Sequence, residues 1–326
     1  MGWINAGRGH CWRPIWLLAL VACLCGVWVV HQTPGTYISP SPGQPEAPAQ
    51  WHMAATSMPS EAALLLTSTC MPAPSQERGH YRMGTLSPVT LTVVYDNNPF
   101  DSRLKTAWGF ACLVETDSTT VLFDTGGDGA TLMGNLAALA IDPHCIDRVV
   151  LSHYHGDHTG GSDSLLGVEG RRTVYVPRSF PSDFKARVAQ RAQVVEVSEP
   201  MVIADQIRTT GEIGAAIVEQ SLIVETDQGL VLVTGCAHPG IVEIVRQAKR
   251  YGDVYLVVGG LHLKDKSADE IKMVIEMLRD LGVRKVAPCH CTGEEAFRLF
   301  KAAFGAGFVP TGVGTVIRSS DASYPE

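Results

Sequence analysis

The chain has 326 residues, a formal net charge of −7 and 45% hydrophobic residues. That is room for one large domain with a tail, and the acidic balance lacks the basic stripe that a nucleic-acid partner requires. The nine cysteines follow no regular spacing, so no disulfide framework is expected, and most read as small buried apolar residues.

In chain order, Arg8 and Arg13 precede an uncharged apolar run from Ile15 to Val30. Basic residues before an apolar stretch are the pattern of an export signal. The run is somewhat long for a signal core and somewhat short for a spanning helix, which needs about 20 residues. An uncleaved anchor is favoured. Alternatives are a lipoprotein, because Leu20-Val21-Ala22-Cys23 resembles a lipidation box, and a cleaved signal. The charge placement puts residues 1–30 as a membrane contact and the rest on the extracytoplasmic side. Residues 31–85 are rich in Pro, Ser, Ala and Thr and read as a flexible tether, with a short apolar patch at Ala62 to Leu66.

From residue 86 to about 320 the pattern is that of one folded domain. Thr90 to Tyr95 reads as a strand. Cys112 to Thr116 and Thr120 to Phe123 read as a hairpin, Ala130 to Ala140 as a helix, and Val149 to Leu151 as a short buried strand running into Ser152-His153. The series then repeats. Val114-Glu115-Thr116-Asp117 and Val121-Leu122-Phe123 return 110 residues later as Val224-Glu225-Thr226-Asp227 and Val231-Leu232-Val233. A helix at Ile241 to Lys249 and a strand at Val254 to Val258 follow, ending at His262. The echo predicts two αβ halves packed sheet against sheet, with their loops meeting at one edge. Ser267 with Glu270 and Thr292 with Glu295 are capping-box patterns before two further helices. Between those helices lies the strand Lys285 to Ala287, which leads into Cys289-His290-Cys291.

His153-Tyr154-His155-Gly156-Asp157-His158 carries four candidate metal ligands in one turn. A lone loop histidine is more often structural. Three with an aspartate, after an apolar strand and before Thr159-Gly160-Gly161, point to a metal site. Imidazole and carboxylate donors suit one or two divalent transition ions, zinc first and iron or manganese as alternatives.

The stretch Val149 to Gly161 resembles the signature of the metallo-β-lactamase superfamily, and Leu122-Phe123-Asp124-Thr125-Gly126 resembles its first motif. Three further segments are similar to the branch containing the archaeal dihydropterin-methyl-ribofuranosylaminobenzene phosphate synthases and proteins called metal-dependent hydrolases. These are Thr234 to Ile241, Gly259 to Leu263 and Pro288 to Gly293. The resemblance implies a mixed α/β fold, the four-layer αβ/βα sandwich of two similar halves. It implies that His153 and His155 bind a first ion, that Asp157 and His158 bind a second, that His290 is a late ligand, and that Asp124 orients ligand histidines from behind. Cys236 stands where many members have a bridging aspartate, which leaves a binuclear centre open. His238 is expected to ligate. His262 is expected to contact substrate or support a ligand, and the side chains of Cys289 and Cys291 to point away. Ile207 to Gly214 resembles a Gly-Glu-Ile segment of the branch, but the loop after it is shortened. The implied activity is hydrolysis of a phosphoester, lactone or related ester by a metal-activated water, with Asp157 and His262 as catalytic residues. Its partner is a small molecule that can carry phosphate, since Pro239-Gly240 opens a helix. The alternatives are a pterin–aminobenzene transferase and a non-catalytic, membrane-tethered metal-binding module.

Overall fold

The computed structural model describes residues 86–320. The expected anchor, the tether and the Ala62 to Leu66 patch lie outside these residues. Among the described residues no helix is long and apolar enough to cross a membrane.

The strands are β1 (Thr90–Asp96), β2 (Phe110–Glu115), β3 (Thr120–Phe123), β4 (Arg148–Val150), β5 (Thr173–Pro177), β6 (Gln193–Val197), β7 (Met201–Ala204), β8 (Ile207–Thr209), β9 (Leu222–Thr226), β10 (Gly229–Thr234), β11 (Val254–Gly260), β12 (Lys285–Cys289) and β13 (Val316–Arg318). The helices are α1 (Gly129–Ala138), α2 (Gly156–Thr159), α3 (Ser162–Leu166), α4 (Ser182–Ala189), α5 (Ile241–Ala248), α6 (Ala268–Asp280) and α7 (Glu294–Phe304). One sheet runs β13-β1-β2-β3-β4-β5-β6 and the other β12-β11-β10-β9-β8-β7.

Side-chain alternation along the strands sorts the core into three layers. Val93, Phe110, Cys112 and Phe123 of the first sheet meet Leu222, Val224, Val233 and Val258 of the second in the cluster between the sheets. The opposite faces are covered by helices. Leu132, Leu165 and Phe184 from α1, α3 and α4 pack with Leu113 and Leu122. Ile244, Ile275 and Phe300 from α5, α6 and α7 pack with Leu232 and Val257.

The repeated segment occupies equivalent places in the two sheets. β2 and β3 form an antiparallel pair and β4 adds parallel to β3. β9 and β10 form an antiparallel pair and β11 adds parallel to β10. The loops after β3, β4, β10, β11 and β12 therefore leave their sheets in comparable places. The capping box of Ser267 and Glu270 is present at α6. The one expected at Thr292 is not, because α7 starts after Gly293 with no side-chain cap. The Thr292 hydroxyl is engaged elsewhere: it donates to the Cys289 carbonyl at 2.7 Å and accepts from the Leu261 N–H at 3.1 Å, tying two strand-end loops together.

Candidate metal centre

Beyond β3 the chain turns sharply at Asp124, whose φ is +59°. Its carboxylate is fully buried. It accepts from the Ser152 backbone N–H at 2.7 Å and the Ser152 hydroxyl at 2.7 Å, both on the loop after β4. It also lies 2.7 Å from His158 Nδ1. The Ser152 proton is committed to Asp124, so His153 Nδ1, 2.8 Å from Ser152 Oγ, must be the donor of that contact. His153 and His158 are thus held in the tautomer that leaves Nε2 with a free lone pair, the form a metal ligand needs. His290, after β12, is set the same way by Asn97 Oδ1, 2.9 Å from its Nδ1.

The free nitrogens converge. His153 Nε2 is 3.0 Å from His155 Nδ1, and the His238 ring lies 4.8 Å from the His153 ring and 5.0 Å from the His155 ring. Beside this group, Asp157 Oδ2 is 3.7 Å from His158 Nε2 and 3.4 Å from His290 Nε2. Cys236 Sγ sits 3.2 Å from His158 Nε2. Two sets of donor atoms are close enough to hold an ion, His153–Cys236–His238 and His158–Cys236–His290, and they share the Cys236 sulfur. The buried Nε2 atoms of His238 and His290 have no hydrogen-bond partner, a costly arrangement unless another group takes their lone pairs. This donor set of imidazoles, a carboxylate and a thiol fits a divalent transition ion.

For His153, His238 and Asp157 the electrostatics favour the forms that a metal ion would bind, while His158 is shifted the other way. Burial and the neighbouring imidazoles hold His153 far below the usual histidine range. Burial, with His262 and His155 nearby, brings His238 down to about 4. Burial would raise the pKa of Asp157, but the imidazoles of His290 and His158, 3.4 and 3.7 Å from its carboxylate, overcome this and hold it well below the usual carboxylate range. For His158 burial acts downward, and the charge and hydrogen bond of Asp124 reverse the net shift.

Two residues that sequence reading passed over organise the centre. Glu219, fully buried just before β9, accepts hydrogen bonds from the Thr234 hydroxyl and the backbone N–H groups of Gly235, Cys236, Ala237 and His238 at 2.9–3.2 Å. It braces the turn that carries Cys236 and His238. Asn97 fixes His290, as above. Neither belongs to a spacing pattern; only the polar run Glu219-Gln220-Ser221 leading into an apolar strand hints at Glu219.

His262, at φ +50° after β11, is exposed, and its ring lies 4.3 Å from that of His238. It stands outside both donor sets above. A further set joins Cys236, His262 and Cys291. The expectation that both flanking cysteines point away is therefore corrected for Cys291. Its thiol faces Cys236 and His262, because the short 3₁₀ turn at His290–Thr292 swings it back toward the loop after β10. Cys289 does lie in the core between the sheets.

Comparison with known proteins agrees with this geometry. The sequence profile of the metallo-beta-lactamase superfamily matches residues 109–290. A curated relative from Methanocaldococcus jannaschii, 7,8-dihydropterin-6-methyl-4-(beta-D-ribofuranosyl)-aminobenzene-5'-phosphate synthase, is 28% identical over 277 residues, covering 68% of this chain and 92% of its own. Tm1679, described as a metal-dependent hydrolase of the beta-lactamase superfamily, has a crystal structure that superposes with a TM-score of 0.60 at 28% identity, covering 70% of this chain and 98% of its own. The metallo-beta-lactamase fold protein YhfI from Bacillus subtilis shares the fold at a TM-score of 0.55 and 14% identity, covering 71% of this chain and 99% of its own.

Proposed function

The chain belongs to the metallo-beta-lactamase superfamily, and on that premise we propose that it is a metal-dependent hydrolase of a phosphoester, lactone or related ester. The observation that carries this reading is the convergence of partnerless imidazole nitrogens with Asp157 and Cys236 in two adjoining donor sets. His153, His155 and His238 would hold one ion, and Asp157, His158 and His290 a second, with Cys236 between them. A divalent ion there supplies Lewis acidity towards a substrate oxygen and makes a water molecule easier to deprotonate.

The chain's own residues do the rest. Asp157 is ionised and partly exposed, so it is placed to orient a water molecule by accepting a hydrogen bond from it. The hydrogen bond with Cys291 raises the pKa of His262, which favours its protonated form at the rim. From there it can donate to a leaving-group oxygen. Asp124 and Ser152 keep the imidazoles in the ligand tautomer throughout. Zinc is the ion we favour, since imidazole, carboxylate and thiolate are all zinc ligands.

A second reading is transfer to an aromatic amine in place of water, favoured by the similarity to the archaeal synthase. Metal analysis of the purified full chain, with assays on bis-p-nitrophenyl phosphate, lactones and nitrocefin, separates these readings. Turnover abolished by chelation supports the hydrolase. Bound metal without hydrolysis of any of the three favours the transferase. The double variant His153→Ala/His155→Ala is expected to lose bound metal and at least about a hundredfold in activity, more than loss of a supporting hydrogen bond costs. Full metal content in that variant would overturn the ligand assignment.

A further inference from the structure

Trp108 lies on the loop between β1 and β2, and half of its surface is open to solvent. A large aromatic ring left exposed forgoes the burial that normally offsets its presence. Yet this ring is not loosely placed. Its centroid is 4.9 Å from that of His290, with the planes inclined at 54°. Its neighbour Gly109 packs so tightly on the turn of the donor residues that an added Cβ would lie 2.4 Å from the Asp157 carbonyl oxygen.

Lys264, two residues beyond His262, brings its ammonium to 5.2 Å from the Trp108 ring centroid. Among the described residues it forms no salt bridge, while Lys185, Lys249, Lys266 and Lys272 each pair with a carboxylate. Its backbone is pinned, because a Cβ added to Gly293 would come within 2.6 Å of the Lys264 Cα. The loops after β1, β11 and β12 thus set a flat, half-exposed ring and an unpaired cation side by side at the edge of the donor cluster.

We propose that Trp108 and Lys264 form a substrate subsite, and that the substrate is an anion bearing a planar aromatic ring. This deepens the hydrolase reading and rests on it for the position of the reacting group. The ring of the substrate packs on the exposed part of the Trp108 indole, and its phosphate or carboxylate lies within reach of Lys264 and the centre. An exposed indole is a stacking platform that tolerates any flat ring, and the ammonium over it supplies the charge that attracts the anion.

The test is direct binding to the metal-analysed full chain, by calorimetry, of phenyl phosphate, n-butyl phosphate and benzyl alcohol. Phenyl phosphate is expected to bind about tenfold more tightly than butyl phosphate, the low-to-middle range for stacking one ring on an aromatic side chain. Trp108→Ala should erase that preference while keeping metal content, and Trp108→Phe should retain most of it. Lys264→Gln should weaken both phosphates alike and flatten their salt dependence, while benzyl alcohol, lacking the anion, binds poorly to every form. Equal affinity of the wild-type chain for phenyl and butyl phosphate overturns the subsite. So does a Trp108→Ala variant that keeps the preference. Absence of bound metal would instead refute the hydrolase reading, and the phenyl-to-butyl ratio would still report on Trp108 by itself.

Discussion

At the residue scale the imidazoles set the response to acid. Burial and neighbouring imidazoles bring His238 from 6.5 to about 4, and His153 and His155 shift the same way. As pH falls the unfolded chain therefore takes up these protons first. The stability tied to these groups is fully present above about 6.5 and is lost as pH falls towards 4; His158, His262, Glu219 and Asp96, the last raised to about 6 by burial, are shifted upward and oppose the trend. Discounted for its half-exposed setting, His238 alone contributes about 1–2 kcal/mol. We expect the urea midpoint of the metal-free chain to fall more between pH 7 and pH 5 than that of a His238→Gln variant, and an equal change in the two would contradict a neutral His238. His153, His155 and His158 were legible in the sequence because four donors crowd one turn after an apolar strand, and His238 only through the family resemblance of Thr234 to Ile241. Glu219 and Asn97 were not, because each acts across a long sequence separation through one side chain, and no local period marks such a residue.

At the element scale, the two halves are in tight contact where the loop after β10 passes the loop after β4. A Cβ on Gly235 would lie 2.2 Å from the Ser152 hydroxyl and 3.0 Å from Asp124 Oδ2, the groups that set His153 and His158. Gly235→Ala is expected to cost about 1–3 kcal/mol through overpacking. It should also weaken metal retention about ten- to hundredfold, as disturbing the supports of metal ligands does. Chemical denaturation and competitive chelation measure the two effects, and an unchanged chelation curve would show that the halves move independently. The sequence signalled both hairpins, β4, β11, β12 and α6, since alternation, turn residues and a capping box are local, but not β5 to β8. It did not signal β13, a three-residue edge strand paired with β1 across the whole domain. At the ends of β11 and β12 and in the turn after β10, His262, His290 and Ala237 all adopt positive φ, as Asp124 does after β3. Left-handed backbone at non-glycine residues costs of order 1–3 kcal/mol each, and only the assembled loops hold it.

At the scale of the whole molecule, we expect residues 1–30 to tether the chain to a membrane and residues 31–85 to act as a spacer. A chain shortened to begin at Gly84 should stay soluble, bind metal as the full chain does and unfold within a few degrees of it, because β1 starts at Thr90. Thermal unfolding and metal analysis check this, and an insoluble product would place part of the folding unit upstream. Two αβ halves packed sheet against sheet were readable from the 110-residue echo, but the closeness of the halves depends on side chains meeting across the sheets, which no single window of sequence contains.

The sulfur of Cys236, common to all three donor sets among the described residues, carries a consequence for how the centre fills. Sites that share an atom are linked: whatever the first ion does to the charge and position of that thiol changes the free energy available to the second, and by reciprocity the second acts equally on the first. Metal would then enter in two unequal steps, and the number of ions bound would track the free metal concentration of the compartment as well as the donor count.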